Sequence, residues 1–260
     1  PRSTLFPYTT LFRSAYSKAE IEALADVARK YPLVIVADEV YLGNHFLGER
    51  HSMAEVLPHQ TIRTSSLSKE FAAGGYRLGW ATFPDSLKHL KKAMASLASS
   101  SYSCAPVPQQ CAALAAMQHY EQDKGGRELM AYIFHHLGVF LFERMTSIGV
   151  KSFEPQAAWY LLLDFSDFES KLNARGIQTS EQLVDRLIHE TGITFVAGSN
   201  FGFPDEQLKV RASFVDIVPE VAMEFCKDLD LSQKPPPEFY GSWMENMDKS
   251  IDILQNWLNA

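Results

Sequence analysis

Leu33-Val-Ile-Val-Ala37 is a continuous apolar run, partly β-branched, that ends abruptly in Asp38-Glu39. A run this short without polar alternation predicts a strand buried in a parallel sheet. A helix is predicted just before it. Ser17-Lys-Ala-Glu20 has the capping-box pattern, Ile21, Leu24, Ala25 and Ala28 share one stripe, and Tyr31-Pro32 stops the helix. Helix, buried strand and acid at the strand's carboxyl end make an α/β signature. Ligands of open α/β sheets gather at that end.

Further strands are expected over Thr61–Ser66 and Leu78–Phe83, with Ser66-Leu-Ser-Lys69 and Gly74-Gly75-Tyr-Arg77 between them. Helices follow over Ser86 to about Ala98 and over Val107–Tyr120, separated by a Ser/Pro-rich stretch. After a polar break at Gln122–Gly126, a long helix is expected from Arg127 to about Ser147. Ser152–Phe165, a helix over Thr179–Glu190, and strands over Ile193–Ala197 and Leu208–Phe214 form a second α/β block. Pro235-Pro236-Pro237 reads as a linker. Met244, Met247, Ile251, Leu254 and Leu258 then mark an amphipathic helix.

Residues 1–14 stand apart. Thr4–Ser14 reads as the in-frame translation of a common sequencing-library adapter, so the segment is set aside as non-native and the rest is expected to be the C-terminal part of a longer protein. Without Arg2 and Arg13 the formal charge moves from −7 to −9. An acidic chain with a pI of about 5.6 argues against nucleic acid or an anionic membrane as partner. No apolar run approaches the roughly 20 residues of a membrane span. Cys104, Cys111 and Cys226 are widely spaced with no CxxC pair, which points to a reducing cytoplasm rather than a disulfide framework or a zinc site.

Three elements bear chemistry. Asp38 has Tyr41 three residues on; Ser66 precedes Lys69 by three, and Arg77 follows Lys69 by eight; Arg211 sits in the strand-like VRASF. Each has a plain reading alone. Asp38 can cap a turn, Lys69 can be a solvated lysine, Arg77 a surface residue and Tyr41 half-buried packing, while Arg211 can pair with an acid. Together they change the odds.

Val34–Tyr41 (VIVADEVY), Ser65–Trp80 (SSLSKEFAAGGYRLGW) and Leu208–Phe214 (LKVRASF) occur in the order and at the separations of a known family. The chain resembles the class I/II, fold-type I aminotransferases that depend on pyridoxal phosphate, from about Ala15 to Phe214. The resemblance implies the C-terminal part of a large pyridoxal-binding domain over residues 15–124, an α/β unit with a mostly parallel sheet flanked by helices. A smaller α/β domain over 125–260 would include the bridging helix. It also implies a cytoplasmic homodimer acting on a small-molecule amino acid and a 2-oxo acid.

The cofactor is an electron sink for the pair left when a substrate Cα–H breaks. The resemblance gives Asp38 the protonated ring nitrogen, Tyr41 the 3-oxygen, Lys69 the Schiff base, Ser66 and Arg77 the phosphate, and Arg211 the substrate α-carboxylate. A free lysine has a pKa near ~10.4, so such an amine needs burial or a nearby positive charge to become a nucleophile. An arginine fork suits phosphate and carboxylate because it binds both bidentately.

Departures exist. The upstream phosphate cup, the aromatic stacked on the ring and the Asn beside the 3-oxygen are absent. Ala157 stands where the family usually has Gly, and Ala197-Gly198 replaces Pro-Gly. No arginine lies between Arg77 and Arg127, which disfavours strict aspartate specificity. Lacking part of its sheet, this chain is expected to transaminate weakly or not at all.

Carbon–sulfur lyases and cyclising synthases of the same fold resemble it equally, and only the product separates them. Ser66-Leu-Ser-Lys69 also fits the S-x-x-K of acyl-serine enzymes, but Ser199-Asn200 lacks the middle Asp of S-D-N and Glu190-Thr-Gly192 has acid where K-T-G needs lysine. There is no G-x-S-x-G. His135-His136 reads as helix surface rather than a metal site.

Overall fold

The computed structural model describes residues 15–46 and 50–260; the adapter-like segment lies outside the described residues. The chain divides into two compact units: Tyr16–Glu128 forms one, and Leu129–Ala260 falls in the other. Among the described residues no helix is long and apolar enough to cross a membrane. Cys104, Cys111 and Cys226 are unpaired.

In the first unit, α1 (Lys18–Ala28) starts at the expected capping box. Ser17 Oγ accepts from the Glu20 amide at 3.3 Å and the Glu20 carboxylate accepts from the Ser17 amide at 2.8 Å. These two bonds satisfy donors that a helix start leaves open. The chain continues through β1 (Ile35–Asp38), the short α2 (Met53–Val56), β2 (Thr61–Ser66), β3 (Gly79–Thr82), α3 (Lys88–Ser101) and α4 (Val107–Gln118). The sheet order is β1-β2-β3, with β1 and β2 parallel and β2 and β3 antiparallel.

One face of β1 packs as expected. Ile35 joins Ala25 and Ala28 of α1 and Leu57 after α2 in a small core. The other face does not: Val36 is 64% exposed, and Val34, two residues before it, is 46% exposed. Alternation sends Val36 away from α1, and no described element covers that side. The sequence pattern of a doubly buried strand is present, and among the described residues only one face of that strand is covered.

The helix α5 (Lys124–Ser147) begins in the first unit and continues into the second. It takes in Gly125 and Gly126, which the sequence reading placed in a break. Glycine costs a helix about 1 kcal/mol relative to Ala, and the burial of Ile133, Leu137, Leu141 and Met145 on the same helix offsets that. At Gly138 a side chain would come within 2.7 Å of Pro155 and 2.9 Å of Phe214, so glycine admits the buried Phe214 ring against the helix.

The second unit adds β4 (Tyr160–Asp164), α6 (Glu169–Ala174), α7 (Ser180–Thr191), β5 (Val196–Ala197), β6 (Lys209–Ser213), α8 (Pro219–Cys226) and α9 (Glu245–Asn259). Its sheet is antiparallel in the order β4-β6-β5. Leu161, Leu163, Val210 and Ala212 alternate into its core. The strand expected over Ile193–Ala197 pairs with β6 only at Val196 and Ala197. It turns at Gly198, where a side chain would meet the Lys209 carbonyl oxygen at 2.7 Å. The expected helix α7 is capped by Thr179, which accepts from the Gln182 amide at 3.2 Å. In α9, Met247, Ile251, Leu254, Trp257 and Leu258 are buried, with Met244 buried just before it. The helix α8, missed by the sequence reading, opens on Pro219 and buries Ala222 and Cys226.

Two further readings need correction. The triple proline does not mark a free linker: it leads into a 3-10 turn, Pro237–Tyr240, whose Phe239 is fully buried. Phe239 meets Trp243 edge-on at 4.9 Å and Tyr132 at 6.3 Å. His136 is not plain helix surface. It packs edge-on to Tyr132 at 4.5 Å and stacks with His135 at 4.9 Å. Burial, then the nearby charges of His135 and Lys234, push its pKa down to about 4.

Candidate active site

The carboxyl ends of β1 and β2 lie on the same side of the sheet because the two strands are parallel, with Asp38 paired to Thr64. Asp38 is the last residue of β1 and Ser66 the last of β2. Ser66 also pairs with Gly79, the first residue of the antiparallel β3. The connection from β2 to β3, which contains Lys69 and Arg77, therefore lies at that same end. So does Tyr41, three residues past β1. Register alone brings Asp38, Tyr41, Ser66, Lys69 and Arg77 to one edge of one sheet.

Asp38 and Glu39 point to opposite faces, and their surroundings separate their roles. Glu39 is committed to structure: its carboxylate accepts from Ser52 Oγ at 2.5 Å and from Arg63 Nε at 2.6 Å. Asp38 is exposed, and among the described residues it accepts at long range, from the Val40 amide at 3.4 Å and Thr64 Oγ1 at 3.5 Å. Its carboxylate can therefore take a further donor.

The lysine-bearing loop is closed by its own backbone. The Leu67 amide donates to Leu78 O and the Ala73 amide to Leu67 O, each at 3.1 Å. Ser66 Oγ accepts from the Ser68 amide at 3.1 Å, leaving its O–H to donate. Ala72 and Arg77 adopt left-handed backbone with φ of 50° and 53°, a conformation that disfavours a Cβ and concentrates at functional loops. The Arg77 guanidinium is exposed and uses Nη1 to donate to Gly74 O at 2.9 Å. Lys69 is half-buried, its ammonium 5.4 Å from the centroid of the Tyr41 ring. An amine, a phenol, a carboxylate, a hydroxyl and a guanidinium thus surround one sheet end. That set suits a ligand with a carbonyl, a basic ring nitrogen and a phosphate.

Sequence reasoning missed what stands behind Lys69. The Glu70 carboxylate accepts from the Tyr120 hydroxyl and lies 3.7 Å from both Arg50 Nη1 and Arg127 Nε. Arg127 is only 5% exposed and stacks on the Tyr120 ring at 3.6 Å. Burial first, and then the hydrogen bond to Glu70, raise the Tyr120 pKa above its usual value, so the phenol stays a donor. No spacing in the sequence links positions 70, 120 and 127.

Arg211 lies in the other unit, on β6, between Leu162 of β4 and Val196 of β5. Its guanidinium lies against two rings, Tyr160 at 4.2 Å and Phe201 at 4.4 Å from the centroids. Stacking of this kind holds the fork in plane while leaving its edge for a carboxylate. Ala157 is buried with ordinary φ; the left-handed residue is its neighbour Ala158, at 63°.

A family model described as aminotransferase class I and II matches residues 14–227. An aspartate/prephenate aminotransferase of Thermus thermophilus is 30% identical over 188 residues, 72% of this chain and 46% of that protein. An aspartate aminotransferase of Geobacillus stearothermophilus is 32% identical over 214 residues, 80% of this chain and 52% of that protein. Among solved structures, a tetra mutant of the Thermus thermophilus aspartate aminotransferase matches with a TM-score of 0.73 at 26% identity, over 94% of this chain and 56% of that one. An aromatic aminotransferase from Pyrococcus horikoshii OT3 shares the fold with a TM-score of 0.73 at 22% identity. The chain spans about half the length of the curated relatives it matches.

Proposed function

Since this chain belongs to the class I and II aminotransferases, we propose that it holds the cofactor contacts of a pyridoxal-phosphate enzyme that moves an amino group between an amino acid and a 2-oxo acid. The observation that carries this reading is the convergence of Asp38, Tyr41, Ser66, Lys69 and Arg77 at one end of the first sheet. The names of the relatives favour transfer over a carbon–sulfur lyase or a cyclising synthase.

When bound, pyridoxal phosphate supplies a carbonyl for an amine and a ring that accepts the electron pair from Cα. Asp38 would hold a proton on the ring nitrogen, and Tyr41 would donate to the 3-oxygen. The Ser66 hydroxyl and Arg77 guanidinium would donate to the phosphate. Lys69 would attach the carbonyl and, once released, move the proton at the substrate Cα. Arg211, with its stacked fork, would pair the substrate α-carboxylate and orient the Cα–H. The same reading makes residues 15–124 the pyridoxal-binding part and 125–260 the small domain, within a cytoplasmic homodimer.

The test is incubation of the chain with pyridoxal phosphate, borohydride reduction and peptide mapping. A pyridoxyl group concentrated on Lys69 is expected. Even labelling across many lysines of a folded sample would overturn the assignment.

A further inference from the structure

We propose that Glu70 is a positioning residue that locks the Lys69 loop to the Tyr41 turn, setting the separation of the two reactive side chains. This rests on the pyridoxal reading of Lys69 and Tyr41. The geometry is specific. Gly43, two residues after Tyr41, lies flat against the Glu70 side chain, so that any side chain at Gly43 would occupy the volume of the Glu70 carboxylate. The Gly43 carbonyl accepts from Arg50 Nη2 at 3.3 Å, and Arg50 Nη1 faces both Glu70 and the Tyr120 hydroxyl, at 3.7 and 3.4 Å. From the other side Tyr120 donates to Glu70, and Arg127 covers the Tyr120 ring.

Glu70 is thus gripped from three elements: the turn after β1, the residues following α4, and the first turn of α5. Its backbone neighbour is Lys69. The side chain at 70 is committed to the scaffold, and the side chain at 69 stands over Tyr41. The carboxylate is held by one hydrogen bond, from Tyr120, and by two guanidinium charges at 3.7 Å, so it ties the three elements by contact and charge together. Removing it frees both loops at once, because the same carboxylate touches both.

Glu70→Ala and Tyr120→Phe remove the tether from opposite ends, and Gly43→Ala expels it by sterics. Two readouts separate this inference from the cofactor assignment. The first is amide hydrogen exchange in the chain without cofactor, at Ala72 and Ala73, whose amides close the lysine loop. Exchange about tenfold faster in Glu70→Ala and Gly43→Ala is expected, with a smaller effect in Tyr120→Phe. The second is the concentration of pyridoxal phosphate that half-saturates borohydride trapping at Lys69, expected to rise about tenfold in the same variants. Glu22→Ala, on the exposed face of α1, is the control.

If wild-type Lys69 is not trapped, the cofactor reading fails, and the exchange rates still decide whether Glu70 orders the loop. If Glu70→Ala and Tyr120→Phe trap and exchange like wild type, the positioning role is wrong. Should Glu70→Ala fail to fold by circular dichroism, Tyr120→Phe, which loses a single hydroxyl, decides the matter.

Discussion

The Lys69 ammonium stands over the Tyr41 ring, 5.4 Å from its centroid. Contacts of this kind contribute about 0.5–1 kcal/mol at exposed sites, so the pair is a matter of placement more than stability. Lys69→Ala should shift unfolding by no more than about 1 kcal/mol and remove the borohydride-stable pyridoxyl label at that position. Tyr41→Phe keeps the ring beneath the amine. It should retain the label at Lys69 while moving the absorbance maximum of the bound cofactor, since the phenol donor is gone. An unchanged spectrum in Tyr41→Phe would remove Tyr41 from the cofactor set.

Arg211 is held by two rings, Tyr160 and Phe201. Lysine keeps the charge but loses both the planar fork and the stacking. Calorimetric titration of the cofactor-loaded chain with a simple 2-oxo acid should show Arg211→Lys binding about tenfold more weakly, which corresponds to about 1.4 kcal/mol. Phe201→Ala should produce a smaller loss, because the contact with Tyr160 and the planar fork both remain. Equal affinity in wild type and Arg211→Lys would dissociate Arg211 from carboxylate recognition.

Much of this was legible before any coordinates. The capping box at Ser17, the strand over Thr61–Ser66 and the apolar stripe of α9 are local patterns, each set by residues within a turn or two of one another. The strand at Leu33–Ala37 was legible as a strand, but its exposure was not, because burial depends on what packs from elsewhere. The chemistry-bearing residues stood out by type and spacing. Glu70, Tyr120 and Arg127 did not, since their meeting is produced by tertiary folding across some fifty residues. Phe239 was hidden for a related reason. Three prolines suggest a linker, and only the partners Tyr132, Phe225 and Trp243 make the next aromatic a core residue.

His136 provides a pH test of the second unit. Its pKa is pushed down to about 4 from an ordinary value of 6.5, chiefly by burial. The folded state therefore holds it neutral while the unfolded chain takes up a proton below 6.5. The stability it contributes is complete above that pH and is lost progressively as pH falls toward 4. Because the ring is only half-buried, solvent screening reduces the loss to on the order of 1 kcal/mol. Urea unfolding followed by tryptophan fluorescence, between pH 7.5 and 4.5, should show this decline in wild type and a flatter profile in His136→Phe. Phenylalanine keeps the edge contact with Tyr132 and has no proton to gain. Parallel pH profiles would mean that His136 titrates normally.

The uncovered face of β1 bears on how the chain behaves in solution. Val36 is 64% exposed, and Val34, two residues before it, is close to half exposed. An apolar strand face at a sheet edge offers both unpaired backbone groups and a sticky surface. The chain should therefore self-associate at micromolar concentration and transaminate weakly by itself. Val36→Lys places a charge on that face without disturbing Ile35, which points to α1. It should cut light scattering several-fold and change the unfolding free energy by less than about 0.5 kcal/mol. If Val36→Lys associates as strongly as wild type, the adhesive surface lies elsewhere, and the exposed apolar residues Met94 and Leu97 of α3 become the next positions to charge. Activity near that of the relatives, from a preparation verified to start at this sequence, would show that the exposed face of β1 is irrelevant to catalysis.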